Sequence, residues 1–423
     1  MKKLSDVGNG IIGSEIIKIS QQIKEIAKTK KVANLTIGDF DSQKFPIPQK
    51  LTDSIKKAYD DGLTNYPLSQ GELALRNEVS ENLKSIYSLD YSSDEILIGG
   101  GVRPLIYTVY KATVNPGDSV IYPVPSWNNN HYCFLHSAEK IEIECTPENS
   151  FFPTGDDIRK NIKENTSLVS ICSPQNPTGR IIPNETLREI CYAIVEENNK
   201  RKEKPNARPV YLFFDQIYSE LTGIDQSFSH PLYVCPEIRD YLICVDGVSK
   251  SLNATGIRVG WLFGPKEIVA KLTEIFSHIG AWAPKPEQNA VANFLKNSNL
   301  DYQMHIADVL TQYGETSTKI CNLFEDLKQT GFDVDYQTPE GGIYISIYLG
   351  FVHHFANTED YISFLIDKCG LGIVPFEYFG SKSNKGWFRI SVGNVNHENI
   401  DDVLAILKNS VLKSHSHMNS VVM

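Results

Sequence analysis

The sequence predicts an α/β fold: a mostly parallel sheet with helices on both faces, joined to a smaller α+β domain. Three observations predict it. Between residues 46 and 290, short apolar runs of strand length alternate with helical stretches. Those runs are apolar almost throughout, the pattern of strands buried on both faces. Beyond residue 300 the order changes to a long helix, two strand-like runs and a last amphipathic helix.

The chain of 423 residues suggests two or three domains, at about 100–200 residues each. It is long enough to bury a large core without disulfides or metals. A net charge of −10 argues against a general affinity for nucleic acid or anionic membrane, because both need a positive footprint. No run of eighteen apolar residues predicts a membrane span. MKKLSDVGNG has no apolar run after its lysines, so no signal peptide is expected. The eight cysteines show neither C-x-x-C pairs nor zinc spacing with histidine. They read as reduced thiols in a cytoplasmic protein without a metal site.

In chain order, Ile16, Ile19, Ile23 and Ile26 recur at helical spacing. VANLTIG follows as a strand ending at Gly38, and helices are predicted around 49–61 and 71–88, joined by NYPLSQG. EILIGG is a buried strand and RPLIYTVYKATV a helix, with Pro104 tolerated in its first turn. SVIYPV, IEIECT, SLVSICS, VYLFFD, YLICVD and IRVGWLFG are further strands. Helices are expected near 156–164 and in ETLREICYAIVEEN. PEQNAVANFLK and residues 301–329 are helical, GIYISIYL and WFRISVG are strands, and ENIDDVLAILKNSVL closes the fold. The domains are therefore expected at 46–300, with 301–423 as the smaller one, completed by residues 1–45. The charge-rich ENNKRKEKPNARP reads as a solvated loop, and the tail SHSHMNSVVM as disordered.

In an open parallel sheet, ligands bind outside the carboxyl ends of the strands, so polar residues there are the candidates. GGGVRP follows the strand EILI and opens a helix, where backbone N–H groups can face an anion. It lacks the third glycine of the dinucleotide fingerprint, and a plain tight turn explains it as well. NPTG, from Asn176 to Gly179, is either an amide held at a strand end or a simple turn. Asp215 ends VYLFFD with Tyr218 three residues on. A carboxylate there is partly desolvated and needs a cation, a cap or a structural ion pair. In GVSKSLNATGIRVG, Lys250 is a candidate amine nucleophile and Arg258 a candidate phosphate ligand. A lysine snorkelling to the surface is the ordinary alternative. Arg389, inside the apolar strand WFRISVG, needs a carboxylate from a ligand or from the chain itself.

The order of these elements carries more than any one of them. A glycine turn, an aromatic in PSW, NPTG, D-x-x-Y, S-K-x7-R and a late F-R resemble the fold-type I pyridoxal-phosphate enzymes. Among them the chain is similar to the class I/II aminotransferases of the aspartate aminotransferase type, from about Gly38 to Arg389. The resemblance implies a seven-stranded, mostly parallel sheet in the large domain and pyridoxal 5′-phosphate as cofactor. It implies that Lys250 forms the Schiff base and then carries the proton between Cα and C4′. Asp215 would pair with the pyridine nitrogen, and Tyr218 and Asn176 would bond the phenolic oxygen. Trp127 would stack on the ring and contact substrate. Arg258, Ser249 and the turn Gly100, Gly101 and Val102 would hold the phosphate. Tyr66 would reach the phosphate of a neighbouring subunit, which implies a homodimer with shared sites. Arg389, Gly38 and Asn176 would bind the substrate α-carboxylate.

Departures from the family pattern are also legible. Gly247 stands where a phosphate-bonding serine is common, Val102 where a polar residue is usual, and GDFDSQKFPIP is shorter than G-x-P-D-F. Arg103 is either a replacement charge or a solvent-facing arginine. The expected reaction is ping-pong transfer between an α-amino acid, aspartate or glutamate first, and a 2-oxo acid. The same fold and cofactor also allow β-elimination, or a regulator that binds cofactor without turnover.

Overall fold

The computed structural model describes residues 4–13, 15–223 and 226–421. In chain order its strands are β1 (Ala33–Asn34), β2 (Ile96–Gly99), β3 (Ser119–Val124), β4 (Glu139–Glu144), β5 (Thr166–Cys172), β6 (Tyr211–Asp215) and β7 (Leu242–Gly247). They continue with β8 (Gly260–Phe263), β9 (Val334–Gln337), β10 (Tyr344–Leu349), β11 (Leu371–Gly372), β12 (Val374–Pro375) and β13 (Trp387–Ser391).

Seven of them form one sheet in the order β2-β8-β7-β6-β5-β3-β4. Neighbours are parallel except around β8, which runs against both β2 and β7. Two reversals restore direction, so β2 ends on the same side of the sheet as β7, β6, β5 and β3. Successive strand residues enter opposite cores. Leu212 and Phe214 join one cluster and Phe213 the other; Leu242 and Cys244 part from Ile243 and Val245 in the same way. Both faces are therefore dry, which is why these strands read as continuous apolar runs.

A third core gathers the carboxyl-terminal region. Its antiparallel sheet runs β12-β13-β10-β9, with Ser346 opposite Arg389. The amino-terminal segment joins this core: β1 pairs in parallel with β11, and Ile19, Ile23 and Leu35 are buried in it. The helix Glu15–Ile26 buries Ile19 and Ile23 on one stripe, as its spacing predicts, and leaves Ile17 exposed.

Three differences from the sequence reading are physical. The helix Asn184–Lys202 continues into ENNKRKEKPNARP and buries Asn198 and Arg201, so that segment is a solvated loop only in its second half. The helix Lys266–Ile279 was not among the expected elements, although Val269, Leu272 and Phe276 form its buried stripe. The tail does not begin to unravel at residue 414: the last helix spans Ile400–Val421. Val403, Leu407 and Val411 anchor it in the third core, and a nucleated helix extends at little cost per residue. Residues 422 and 423 lie outside the described residues.

Candidate active site

A cavity of about 820 Å³ opens at the shared carboxyl ends of β3, β5 and β6 and the turns after β2 and β7. That volume suits a cofactor-sized ligand. It brings together Gly38, Val102, Trp127, Asn176, Asp215, Tyr218, Ser249, Lys250, Arg258 and Arg389. These residues are scattered along the chain from Gly38 to Arg389, and only the packing of the two sheets and the amino-terminal segment makes them neighbours. Gly100, Gly101 and Tyr66 do not line it.

Lys250 sits on the one-turn helix Val248–Ser251, directly after β7. Its Nζ donates to the Gly38 carbonyl at 2.7 Å, and stands 5.8 Å from the centre of the Tyr218 ring and 5.6 Å from that of Phe40. Desolvation pulls its pKa down to about 8; Asp39 opposes that shift, and Arg389, Arg103 and Arg258 add to it. The amine is thus a free base above about pH 8, whereas an ordinary lysine keeps its proton to about 10.5. In cofactor-free protein, acylation at residue 250 should rise with a midpoint near pH 8, followed by peptide mapping. A midpoint above pH 10 would contradict this environment.

The turn that presents Lys250 is held from below. The Asp246 carboxylate accepts the Gly247 N–H at 2.7 Å, Gln216 Nε2 at 3.1 Å and Ser219 Oγ at 3.2 Å. Burial raises the Asp246 pKa well above its ordinary value, and the nearby Glu220 raises it further. At Gly247, a Cβ would meet Gly260 Cα at 2.8 Å and the Val259 carbonyl at 2.9 Å. A serine there collides with backbone before it can reach a ligand. Gly247→Ser is therefore expected to lower stability by about 1–3 kcal/mol. A thermal melt checks this; unchanged stability with tighter cofactor binding would refute it.

Asp215 ends β6 with one oxygen accepting the Ile217 N–H at 3.1 Å. Burial lifts its pKa to about 6, against the pull of that N–H and of Lys250. Among the described residues it has no ion-pair partner. A carboxylate so placed is suited to a cationic ligand atom. Tyr218 Oη shares a hydrogen bond with Tyr344 Oη at 2.8 Å, and burial holds the Tyr218 phenol well above its usual range.

On the other side lies an anion cradle. The helix Val102–Thr113 starts at Gly101 without a side-chain cap, so its first N–H groups face outward. Arg258 donates to the carbonyls of Thr255 at 2.7 Å and Gly100 at 2.9 Å. A Cβ at Gly101 would run into that guanidinium, and φ there is +84°, so glycine is required. Two expected donors are already used: Gly100 N–H bonds Ala281 and Gly101 N–H bonds Gly99. That leaves Val102, Ser249 and Arg258 at the cavity as groups able to meet an anion, while the Gly100 carbonyl holds the arginine.

Arg389 is 2% exposed. Nη1 donates to Asn176 Oδ1 at 3.0 Å and Nη2 to the Thr36 carbonyl at 2.6 Å, while the buried Nε has no partner among the described residues. Tyr344 and Phe379 flank its plane at 4.6 and 4.9 Å. Among the described residues no carboxylate neutralises it. The internal acid that the sequence left open is therefore not found there, and a ligand carboxylate fits the gap. Tyr66 is 83% exposed and meets Trp282 edge-on at 5.7 Å, away from its own chain's cavity.

An unpaired acid, a desolvated amine, an aromatic plate and an anion cradle in one cavity fit pyridoxal phosphate in charge and size. Four contributors escaped the sequence reading. Asp39 lines the cavity with Oδ1 bonded by Phe40 N–H and by Thr255 Oγ1 at 2.8 Å. Ser20, Gln21 and Lys24 reach it from the amino-terminal helix. Only the GDF tripeptide, with its acid next to Gly38, hinted at any of these.

The family described as aminotransferase class I and II matches residues 30–407. A probable N-acetyl-LL-diaminopimelate aminotransferase of Bacillus subtilis is 28% identical over 410 residues, covering 96% of each chain. An aspartate aminotransferase of a Bacillus species is 26% identical, covering 88% of this chain and 90% of its own. A probable aspartate/prephenate aminotransferase of Rickettsia felis is also 26% identical, covering 90% of each. The solved aspartate aminotransferase of Thermus thermophilus with maleate superposes with a TM-score of 0.84 at 22% identity. That match covers 97% of this chain and 100% of the other, and at this identity it speaks for the fold.

Proposed function

This chain belongs to the class I and II aminotransferases and is a pyridoxal-phosphate-dependent transaminase, and we propose that it moves the amino group of aspartate or glutamate to a 2-oxo acid in a ping-pong cycle. The observation that carries the reading is Lys250: a desolvated amine set between the unpaired Asp215 and the unneutralised Arg389. Relatives named for aspartate and for prephenate support an acidic donor.

When bound, pyridoxal phosphate supplies the carbonyl that exchanges for the amino group and the ring that accepts the Cα electron pair. The chain's residues do the rest. Lys250, which desolvation lets shed its proton from about pH 8 upward, attacks as a nucleophile and afterwards takes and returns the Cα proton. Asp215 holds a cationic ring nitrogen, gaining the partner its burial requires. Arg258, Ser249 and the helix start at Val102 fix the phosphate. Trp127 covers one ring face. Tyr218 and Asn176 bond the phenolic oxygen, and Arg389 grips the α-carboxylate bidentately beside Gly38.

The two cores support a division near residues 46 and 300, with the amino-terminal segment in the smaller domain. Exposed Tyr59, Tyr66, Leu68 and Leu73 support a homodimer in which Tyr66 serves the partner's site. A measured solution mass near twice 47.5 kDa is expected; a monomer with full activity would remove Tyr66 from any site. All eight cysteines are free thiols, which supports a reducing, cytoplasmic setting, and no helix of the described residues is long and apolar enough to cross a membrane.

The test is a panel of amino donors against 2-oxoglutarate and oxaloacetate. Stoichiometric 2-oxo acid, with aspartate or glutamate leading, is the expected result. Turnover without an acceptor, releasing ammonia, would make the protein a lyase.

A further inference from the structure

Tyr344 has no task in the proposed chemistry, yet it touches three residues that do. It is 2% exposed and lines the cavity from the first position of β10. Its hydroxyl shares the 2.8 Å bond with Tyr218 Oη. Its ring centre lies 4.6 Å from the Arg389 guanidinium carbon. A Cβ at Gly38 would run into the Tyr344 hydroxyl, so the glycine leaves that hydroxyl its room.

Backbone holds the two phenols together. Gly342, two residues before Tyr344, donates its N–H to the Leu221 carbonyl at 2.8 Å, and Gly341 bridges Thr222. The turn is thereby fastened to the segment that carries Tyr218. At Gly342 φ is +74°, and a Cβ there would lie 3.5 Å from the Tyr218 ring. On its other side Tyr344 pairs with Ser391 of β13, the strand of Arg389.

A phenol has one proton to give. Among the described residues neither hydroxyl makes a second hydrogen bond, so either could be the donor in the empty cavity. In the reading above Tyr218 gives its proton to the phenolic oxygen of the cofactor. The proton between the two phenols must then come from Tyr344. Burial raises both phenols, and Arg389, set against the Tyr344 ring, opposes the rise there. The other titratable groups facing the pair are Cys172 from β5, Asp39 beside Gly38, and Lys250 from the turn after β7.

We propose that Tyr344 is a positioning residue for Tyr218: it donates to Tyr218 Oη, fixes that hydroxyl, and aims its proton at the phenolic oxygen of the cofactor. The inference rests on the transaminase reading of the same site. Hydrogen bonds in series strengthen one another, so Tyr218 becomes the better donor. A bond to the charged form of an oxygen favours that form, so the bound cofactor releases its titrating proton at lower pH.

The experiment compares wild-type holoenzyme with Tyr344→Phe, Tyr218→Phe and the double variant. Phenylalanine keeps the ring against Arg389. The main readout is the pH midpoint at which the visible absorption of the bound cofactor titrates; kcat and KM for L-aspartate and a thermal melt accompany it. In Tyr344→Phe the midpoint should rise by about 0.5–1 pH unit, and kcat should fall about 5–20-fold with KM changed by less than about 3-fold. In the Tyr218→Phe background the second substitution should move the midpoint no further, because Tyr344 acts only through Tyr218. A ring-fluorinated tyrosine at position 344, a stronger donor of nearly the same size, should shift the midpoint downward, and it keeps the test open should Tyr344→Phe fold poorly. An unchanged midpoint in Tyr344→Phe would overturn the proposal. So would a full second shift in the double variant, an upward shift with the fluorinated residue, or a loss confined to KM, which would make Tyr344 part of the carboxylate grip. A wild-type protein that binds no cofactor and shows no titrating visible band would instead overturn the transaminase reading, before any variant is compared.

Discussion

Replacing Lys250 by alanine is expected to abolish transamination, lowering kcat by about 10⁴-fold or more. Two roles disappear together. The amine that fixes the cofactor to the chain is gone, and so is the base placed to move the Cα proton. Nothing nearby takes over: Asp215 is bonded by the Ile217 N–H at the end of β6, and the Tyr218 phenol is held far above its usual pKa by burial. Wild-type protein should be yellow and, after borohydride reduction, carry the cofactor covalently on the peptide containing residue 250. The variant should carry none, though its phosphate cradle is intact and free cofactor should still bind. Its fold should survive, because the Nζ makes one hydrogen bond, to the Gly38 carbonyl, which the opened cavity can rehydrate. A variant that still transaminates near the wild-type rate would remove Lys250 from the chemistry.

Arg389→Ala is expected to lower kcat/KM for every α-amino acid by about 10²–10⁴-fold while the cofactor stays bound. The loss should be common to acidic and neutral donors, since all share the α-carboxylate. The change also leaves Asn176 Oδ1 and the Thr36 carbonyl without their buried donor, at about 1–3 kcal/mol each. A thermal melt should therefore be run beside the kinetics, at a temperature where the variant stays folded. Arg389→Lys restores charge but not the fork, so recovery should be partial. Unchanged kinetics with alanine at 389 would place the α-carboxylate elsewhere.

These expectations rest on residues that are far apart in the chain. The strands were readable because both faces of the large sheet are dry: Leu212, Phe213 and Phe214 divide between two cores, yet all are apolar. Polar residues at the ends of such runs stand out, and so Asp215 and Lys250 were visible as candidates. Arg389 was visible for a related reason, as a lone charge within a buried strand. The motifs around them also keep their order along the chain, which survives even when identity with relatives is 28% or less.

Other parts were not readable. Arg103 stood out in the sequence as either a replacement charge or a solvent-facing arginine; the fold leaves it exposed and sets it over Trp127, 24 positions later. Asp39 and Thr255 meet across 216 positions, and neither has a local signature. The helix Glu15–Ile26 announces its buried stripe, but which cavity its polar edge overlooks is decided by β1 pairing with β11. Gly247 reads as the loss of a phosphate contact; packed against Gly260, it is the only residue the backbone admits.

The sequence by itself determined the class of fold, the run of strands and the kind of chemistry, because burial periodicity and the identities of reactive side chains are local properties of the chain. Tertiary structure alone decided which charges are neutralised and which stay open to a ligand. Among the described residues it left Arg389 and Asp215 without ionic partners and used up the N–H groups of Gly100 and Gly101. The reason is that hydrogen bonding and desolvation act between atoms a few ångströms apart, and in this protein those atoms come from segments separated by up to several hundred residues.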